Sequence, residues 1–379
     1  MYKRIIADEI YRNFFSGEVM VIVGARQVGK TYLLKRIIKN KKIKDDLVFL
    51  NCDYLEDREL LNQQKLEPLK RIIGKKKYLF IDEGQKAENI GNTLKMLVDF
   101  YKKEKQIIVT GSSSIHLLDQ TAEPLTGRKR VFYLYPISAS EIIEQKGELE
   151  FQKQFTENLI FGSYPKVLNQ LSNEEKIISL KELASSNLYR DILEFQLIKN
   201  PSVLNKLLKA LALQVGSEVS LHKLGNLIGI NLRTAERYID LLEKSFVIFR
   251  LAPYVTNKRK EISKMHKIYF YDLGIRNAII NNFNILENRN DVGQLFENYF
   301  ILERMKYRSY YRLFANQYFW KNYEQSEVDL IEEFDGNLQA YELKWSKHRA
   351  ALPLSFRKNY QADCYLVSRE NFLDFLLKT

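Results

Sequence analysis

A chain of 379 residues, 45% hydrophobic and 28% charged, has room for two or three domains with cores of their own. Its formal charge of +12 favours a polyanionic partner, nucleic acid ahead of an anionic membrane surface, although basic chains also arise for solubility alone. No run of about eighteen or more apolar residues appears, so no spanning helix is expected, and the opening "MYKRIIADEIYRNFF" lacks the apolar core of a signal peptide. Cys52 and Cys364 stand far apart without metal-ligand spacing, which argues against zinc and for a reduced, cytoplasmic setting.

The first predicted strand lies in "VMVIVGARQVGKTYLLKRII". A β-branched run ends in Gly24-Ala25-Arg26-Gln27-Val28-Gly29-Lys30-Thr31, and a helical pattern starts at once with Tyr32. This G-x-x-x-x-G-K-T sits in the strand–loop–helix setting that a phosphate loop requires. The glycines let backbone N–H groups wrap around phosphate oxygens, and the helix N-terminus adds positive potential. Lys30 is expected to reach the β- and γ-phosphates and Thr31 to ligate magnesium, so ATP and Mg²⁺ are the expected ligands.

A second buried strand, "YLFI", leads into Asp82-Glu83. Asp82 is expected to hold the magnesium and Glu83 to orient or deprotonate the attacking water, although acidic pairs also end strands simply as solvated groups. A third strand, "KQIIVTGSSS", ends in Thr110-Gly111-Ser112. Ser112 is a candidate sensor of the γ-phosphate, and turn chemistry explains the same residues. In "LTGRKRVFYLYP", Arg128 is either an arginine that stabilises transferred charge, in cis or from a neighbouring subunit, or a surface residue before a strand. Helical patterns such as "NIGNTLKMLVDFYKKEK" alternate with these strands. The expected fold class is therefore α/β, a parallel sheet flanked by helices, over residues 1–140.

Strand signals fade after Ser138, and residues 141–200 read as a helical lid or bridge. Residues 201–265 have the order of a winged helix. A short helix (Leu221, Leu224, Leu227, Ile228) meets a turn at Gly229, and a second helix buries Ala235, Tyr238, Ile239 and Leu242 before the strand "FVIFRL". In the DNA-binding reading Arg233, Thr234 and Arg237 point outward and "NKRKEISKMHK" forms a basic wing. Glu236 and Asp240 on the same exposed side fit a protein-contact module equally well.

Residues 266–379 read as a further α/β domain. In "SEVDLIEEFDGNLQAYELKW", Asp335-Gly336 suits a two-residue hairpin turn, which sets Asp329 opposite Glu342 and Glu327 opposite Lys344 on one face. Glu297, on the amphipathic helix "DVGQLFENYFILERM", joins them. Facing carboxylates repel unless a cation separates them. Glu297, Asp329 and Glu342 with Lys344 thus form a candidate Mg²⁺ or Mn²⁺ site, the metal activating water for attack on a phosphodiester. A solvated hairpin in which Glu327 pairs with Lys344 is the alternative.

The chain resembles prokaryotic AAA+-type ATPases whose C-terminal half is a domain of unknown function. The resemblance rests on "GARQVGKT", "YLFIDEGQK", "VTGSSS", "LTGRKRVFYLYPISASE", "FGSYPKVL", "YRDILE", "KIYFYDLGIRNAI", "GQLFENYFILE" and "SEVDLI…YELK", and spans nearly the whole chain. It implies nucleotide chemistry at Lys30, Thr31, Asp82 and Glu83, and a place near the nucleotide for Arg128. The C-terminal segment is similar to PD-(D/E)XK nucleases, including archaeal Holliday-junction resolvases, at Glu297, Asp329, Glu342 and Lys344. The expected function is a DNA-associated, Mg²⁺-dependent ATPase. The alternatives are a nucleotide-gated switch that binds protein partners or its own copies, and an ATP-regulated endonuclease.

Overall fold

The computed structural model describes residues 2–112, 117–118, 121–193, 201–255, 265–346 and 352–377, with only the backbone of 186–193. The chain divides into two compact bodies, one of residues 3–135 with 244–246, the other of 136–243 with 247–379 and the first two residues. Among the described residues no helix is long and apolar enough to cross a membrane.

The first body carries α1 (Ile6–Arg12), β1 (Val19–Val23), α2 (Lys30–Lys41), β2 (Leu47–Asn51), α3 (Leu55–Asn62), α4 (Leu66–Ile73), β3 (Tyr78–Asp82), α5 (Ile90–Tyr101), β4 (Gln106–Gly111) and β5 (Lys129–Tyr133). The strands form one sheet in the order β2-β3-β4-β1-β5, every pairing parallel. β1 and β4 are buried along their whole length, as their continuous apolar runs require in a sheet covered on both faces. The carboxyl ends of β1, β3 and β4 share one edge, where ligands of such sheets bind.

The second body carries α6 (Ala139–Lys146), α7 (Glu148–Phe161), α8 (Pro165–Leu168), α9 (Asn173–Leu193), α10 (Pro201–Leu213), β6 (Glu218–Val219), α11 (Leu221–Ile228), α12 (Leu232–Lys244), β7 (Ile248–Pro253), β8 (His266–Phe270), α13 (Leu273–Ile279), α14 (Val292–Tyr311), β9 (Asn316–Lys321), β10 (Glu327–Phe334), β11 (Asn337–Leu343), α15 (Leu354–Asn359) and β12 (Asp363–Val367). A capping box starts α6: the Glu141 amide donates to Ser138 Oγ (3.2 Å) and the Ser138 amide to Glu141 Oε2 (3.0 Å). The expected helical segment breaks at Gly147 (φ 84°) and Gly162 (φ 70°). It packs within this body, where the Asn277 amide group donates to Leu159 O (3.1 Å) and Ile160 O (2.8 Å).

The expected separation between a winged helix and a C-terminal domain at residue 265 is not a break in the fold. β6, β7 and β8 continue into one seven-stranded sheet, β12-β11-β10-β9-β7-β8-β6, because β7 pairs with β9 in parallel (Ala252 with Tyr318, Pro253 with Phe319). The helix-turn-helix forms at α11 and α12, with Ala235, Tyr238, Ile239 and Leu242 buried as expected. Leu227 is instead 70% exposed, one residue off the stripe of Leu224 and Ile228. The expected basic wing falls mostly on 256–264, outside the described residues. Its last member, Lys267, is no wing residue: it lies on β8 and is 2% exposed.

Asp272 caps α13, accepting from the Ile275 amide (3.1 Å) and from the Ser163 amide (2.7 Å). A Cβ on Gly162 would stand 2.1 Å from its Oδ1, so only glycine fits there. Burial pushes the Asp272 carboxyl up to about 6, against the backbone hydrogen bonds and the charge of Lys306. Between roughly pH 4 and 6 the folded chain thus binds the proton that the unfolded chain releases, so this group favours folding more as pH falls through that window. Denaturant titrations are expected to show this gain for the wild type but not for Asp272→Asn; equal pH slopes in both would contradict it.

Candidate functional site

At the carboxyl edge of the first sheet, β1 runs into the phosphate loop. Gly24 is pressed against the chain after β5, and a Cβ there would lie 2.1 Å from Leu134 O. Gln27 (φ 61°) and Gly29 (φ 100°) turn the loop into the start of α2, whose Tyr32 is half-buried. The buried Lys30 ammonium folds over the loop and donates to Gly24 O (2.9 Å) and Ala25 O (3.0 Å). Thr31 Oγ1 donates to Asp82 Oδ2 at 2.7 Å. A hydroxyl and a carboxylate beside a lysine and a helix N-terminus are the donor set that a magnesium–triphosphate needs, so the residues present fit Mg-ATP.

β4 lies between β1 and β3 and knits the site together. Thr110 donates to Asp82 Oδ1, and the Glu83 amide donates to Thr110 Oγ1 (3.2 Å). Glu83 sits at φ 52°, an uncommon conformation for a residue with a side chain. Gln85 Nε2 donates to Glu83 Oε2 (2.6 Å) and to Ser112 Oγ (3.0 Å). Ser112, fully buried, is therefore linked through Gln85 to Glu83 at the carboxyl edge of the sheet. Behind the loop, the buried Arg4 donates to Val28 O (2.8 Å) and Tyr135 O (2.5 Å), strapping it to the chain after β5. Arg4, Thr110 and Gln85 went unassigned in the sequence. Thr110 and Gln85 stand beside the expected strand ends, whereas nothing near Arg4 signals its role.

Arg128 lies at the opposite end of the sheet. Its carbonyl accepts from the Val19 amide (2.8 Å), where β1 begins, and its side chain bonds Asp99 (2.5 Å). A five-residue strand separates it from its own phosphate loop, about 16 Å at strand rise. The expected role in cis does not fit this geometry.

The second expected constellation lies on β8, α14 and the β10–β11 hairpin. The turn has the expected conformation, Asp335 at φ 50° and Gly336 at φ 77°, and Leu330 pairs with Tyr341. The Leu343 amide donates to Asp329 Oδ2 (2.8 Å), and Lys344 Nζ contacts Glu342 Oε1 at 2.7 Å. Lys267, unassigned as a site residue in the sequence, stands among the acids: 2.9 Å from Glu297, in contact with Glu327, and 4.0 Å from Asp329. Tyr269 also donates to Glu297 (2.5 Å). The expected Glu327–Lys344 pair is thus replaced by Glu327–Lys267.

Burial, with the nearby charge of Glu297, holds the Asp329 carboxyl well above the ordinary range despite Lys267 and the Leu343 amide. Burial opposes the Lys344 charge, yet Glu342 and Asp329 hold its pKa above the usual lysine value. Among the described residues no three carboxylate, imidazole or thiolate groups stand in an arrangement that holds a metal ion. The donor chemistry still fits a hard divalent cation. Glu297, Glu327, Asp329 and Glu342 outnumber Lys267 and Lys344, Lys321 being shared with Glu218, and the buried Glu342 Oε2 has no partner.

Residues 16–143 match the family described as "AAA domain". The uncharacterized protein MJ1544 of Methanocaldococcus jannaschii is 30% identical over 323 residues, 79% of this chain and 69% of that one. The chain belongs to the AAA+ P-loop ATPase family. Its AAA domain is followed by two matches to domains of unknown function, DUF8612 at 152–285 and DUF4143 at 292–373. The uncharacterized protein Rv2008c of Mycobacterium tuberculosis is 23% identical over 346 residues, 90% of this chain and 74% of its own. A crystal structure of Cdc6p from Pyrobaculum aerophilum aligns at 14% identity over 70% of this AAA+ chain and 88% of that one, with a TM-score of 0.29, too low to carry an argument.

Proposed function

We propose that the chain is a magnesium-dependent ATPase that acts on DNA. The observation that carries the first part is the convergence of Lys30, Thr31, Asp82 and Glu83 on one sheet edge, with Thr31 bonded to Asp82. Lys30, now on loop carbonyls, would exchange them for β- and γ-phosphate oxygens. Thr31 and Asp82 would hold magnesium, which neutralises phosphate charge when bound. Glu83, aimed by Gln85, would take the proton of the attacking water, and Ser112 would act through the same glutamine. Arg128 would serve a neighbouring subunit rather than its own nucleotide.

The DNA part rests on the charge of +12 and on a helix-turn-helix with Arg233 and Arg237 exposed on its second helix. ATP turnover is expected to rise severalfold with duplex, branched or single-stranded DNA, and binding is expected to weaken steeply with salt. If no nucleic acid changes turnover or binds in a salt-dependent way, the DNA reading fails.

A second reading, metal-assisted phosphodiester cleavage, is favoured by the partnerless Glu342 Oε2 in the C-terminal cluster. Asp329 and Glu342, with Glu297, would have to draw closer together to hold the ion, which would supply an activated water. Lys344 would offset charge developing on the phosphate. Nicking of plasmid by the wild type with manganese, abolished in Asp329→Ala, supports it; equal nicking by both removes it.

A further inference from the structure

Two arginines line up on the C-terminal half of α14 and a third caps it. Arg304 and Arg308 are four positions apart, so they share one helix face, and Arg312 follows the helix as its left-handed C-cap (φ 53°). The carboxylate opposite the first two is Glu332 of β10, 4% exposed. Arg304 takes most of it: its Nε donates to Oε1 at 3.2 Å and its Nη2 bonds Oε2. Gln317 adds a donor to Oε1 at 3.1 Å. Arg308 stands 3.6 Å from the same oxygen, and its Nε makes a long bond of 3.4 Å to Leu313 O.

Arg304 and Arg308 are only 8% and 9% exposed, so two buried guanidinium groups share one carboxylate. Burial holds the Arg308 pKa below the usual guanidinium value, and the charge of Arg304 adds to the shift despite Glu332. Unshared positive charge held out of water calls for an anion.

A cavity of about 330 Å³ opens beside this cluster. Its lining carries three arginines against Glu332 and Asp363, one positive charge in excess. The same lining includes Phe314 and Phe334, which are 74% and 59% exposed. Exposed aromatic faces beside guanidinium groups suit a planar ring with an anionic substituent. The volume is at the small end for ligand pockets, the size of one nucleotide rather than a folded partner.

We propose that this cavity binds an aromatic phosphate, a single nucleotide unit whose base lies on Phe314 and Phe334 and whose phosphate meets Arg308. The unit is either a free mononucleotide or the phosphorylated end of a nucleic-acid strand. The site belongs to the second body and the phosphate loop to the first, and binding here does not depend on ATP hydrolysis.

The test uses the full chain carrying Lys30→Ala, so that the phosphate loop contributes little. Etheno-AMP and a short fluorescent oligothymidylate with a 5′-phosphate are titrated separately against this protein. Phe314→Ala, an exposed change that leaves the fold intact, is expected to weaken binding about fivefold or more, as loss of one stacking face does. Arg308→Met is expected to weaken it about tenfold or more through loss of a charge-assisted contact. Removing the phosphate from either probe is expected to have an effect as large as Arg308→Met. Etheno-AMP bound with these dependences identifies a free nucleotide as ligand; dependence confined to the oligonucleotide identifies a strand end. Unchanged affinity for both probes in Phe314→Ala, or equal binding without the phosphate, overturns the proposal. In the chain with Lys30 intact, Phe314→Ala is expected to keep wild-type ATP turnover in the absence of DNA, so failure here is distinct from failure of the ATPase reading.

Discussion

Glu83→Gln is expected to slow ATP hydrolysis by about two to four orders of magnitude while leaving Mg-ATP binding nearly intact. The amide keeps the size of the carboxylate and its place beside Gln85 Nε2, but it cannot take a proton from water. Lys30→Ala should differ in kind. It removes the ammonium that folds over the phosphate loop, so nucleotide binding and turnover fall together, turnover by at least about two orders of magnitude. Equilibrium binding of labelled ATP, measured beside single-turnover hydrolysis, separates the two. Wild-type hydrolysis by Glu83→Gln would remove Glu83 from the reaction. Loss of binding in that variant would mean that it supports the nucleotide and not the water.

Lys267→Met is expected to destabilise the second body by roughly 3–5 kcal/mol, the effect of removing one partner from a buried ion cluster. The ammonium is buried on β8 against Glu297 and Glu327, with Asp329 at 4.0 Å. Burial opposes its charge, yet the three carboxylates outweigh that effect and raise its pKa. Without it, four carboxylates face Lys344 and a shared Lys321, and no apolar substitute relieves them. Added manganese is expected to restore part of the loss in Lys267→Met, because a hard divalent ion can take the vacated place. The recovery should vanish in Lys267→Met with Asp329→Asn. Thermal melts with and without manganese read both effects. A variant as stable as the wild type would show that Lys267 does not compensate the acids, and failure of manganese to recover stability would show that they cannot gather around an ion.

What could be read from the residues beforehand was whatever local chemistry decides. Asp335-Gly336 admits one tight turn, so the register that pairs Leu330 with Tyr341 followed from it. The phosphate loop was legible because glycines, lysine and threonine at that spacing, between a strand and a helix, have one common use. Features set by distant partners were not legible. Arg128 was placed beside the nucleotide by its motif, but the order of a parallel sheet puts the start of β5 at the far edge. Lys267 looked like one more member of a basic tract, and only the pairing of β7 with β8 turns it inward. Arg4 holds the loop from 24 positions away in sequence, and no short pattern announces such a strap. Leu227 missed the core because the helical stripe and the actual packing face differ by one residue.

The parallel joint between β7 and β9 bears on how such a chain can be inherited or engineered. A gene segment ending just after β8 would leave the end of β7, at Ala252 and Pro253, without the strand it pairs with, inviting association with other chains. The helix-turn-helix and the acidic hairpin are therefore not interchangeable parts. Recombination that swaps one for a homologue must carry the other with it, and a graft of either alone onto a new scaffold must first close that open flank.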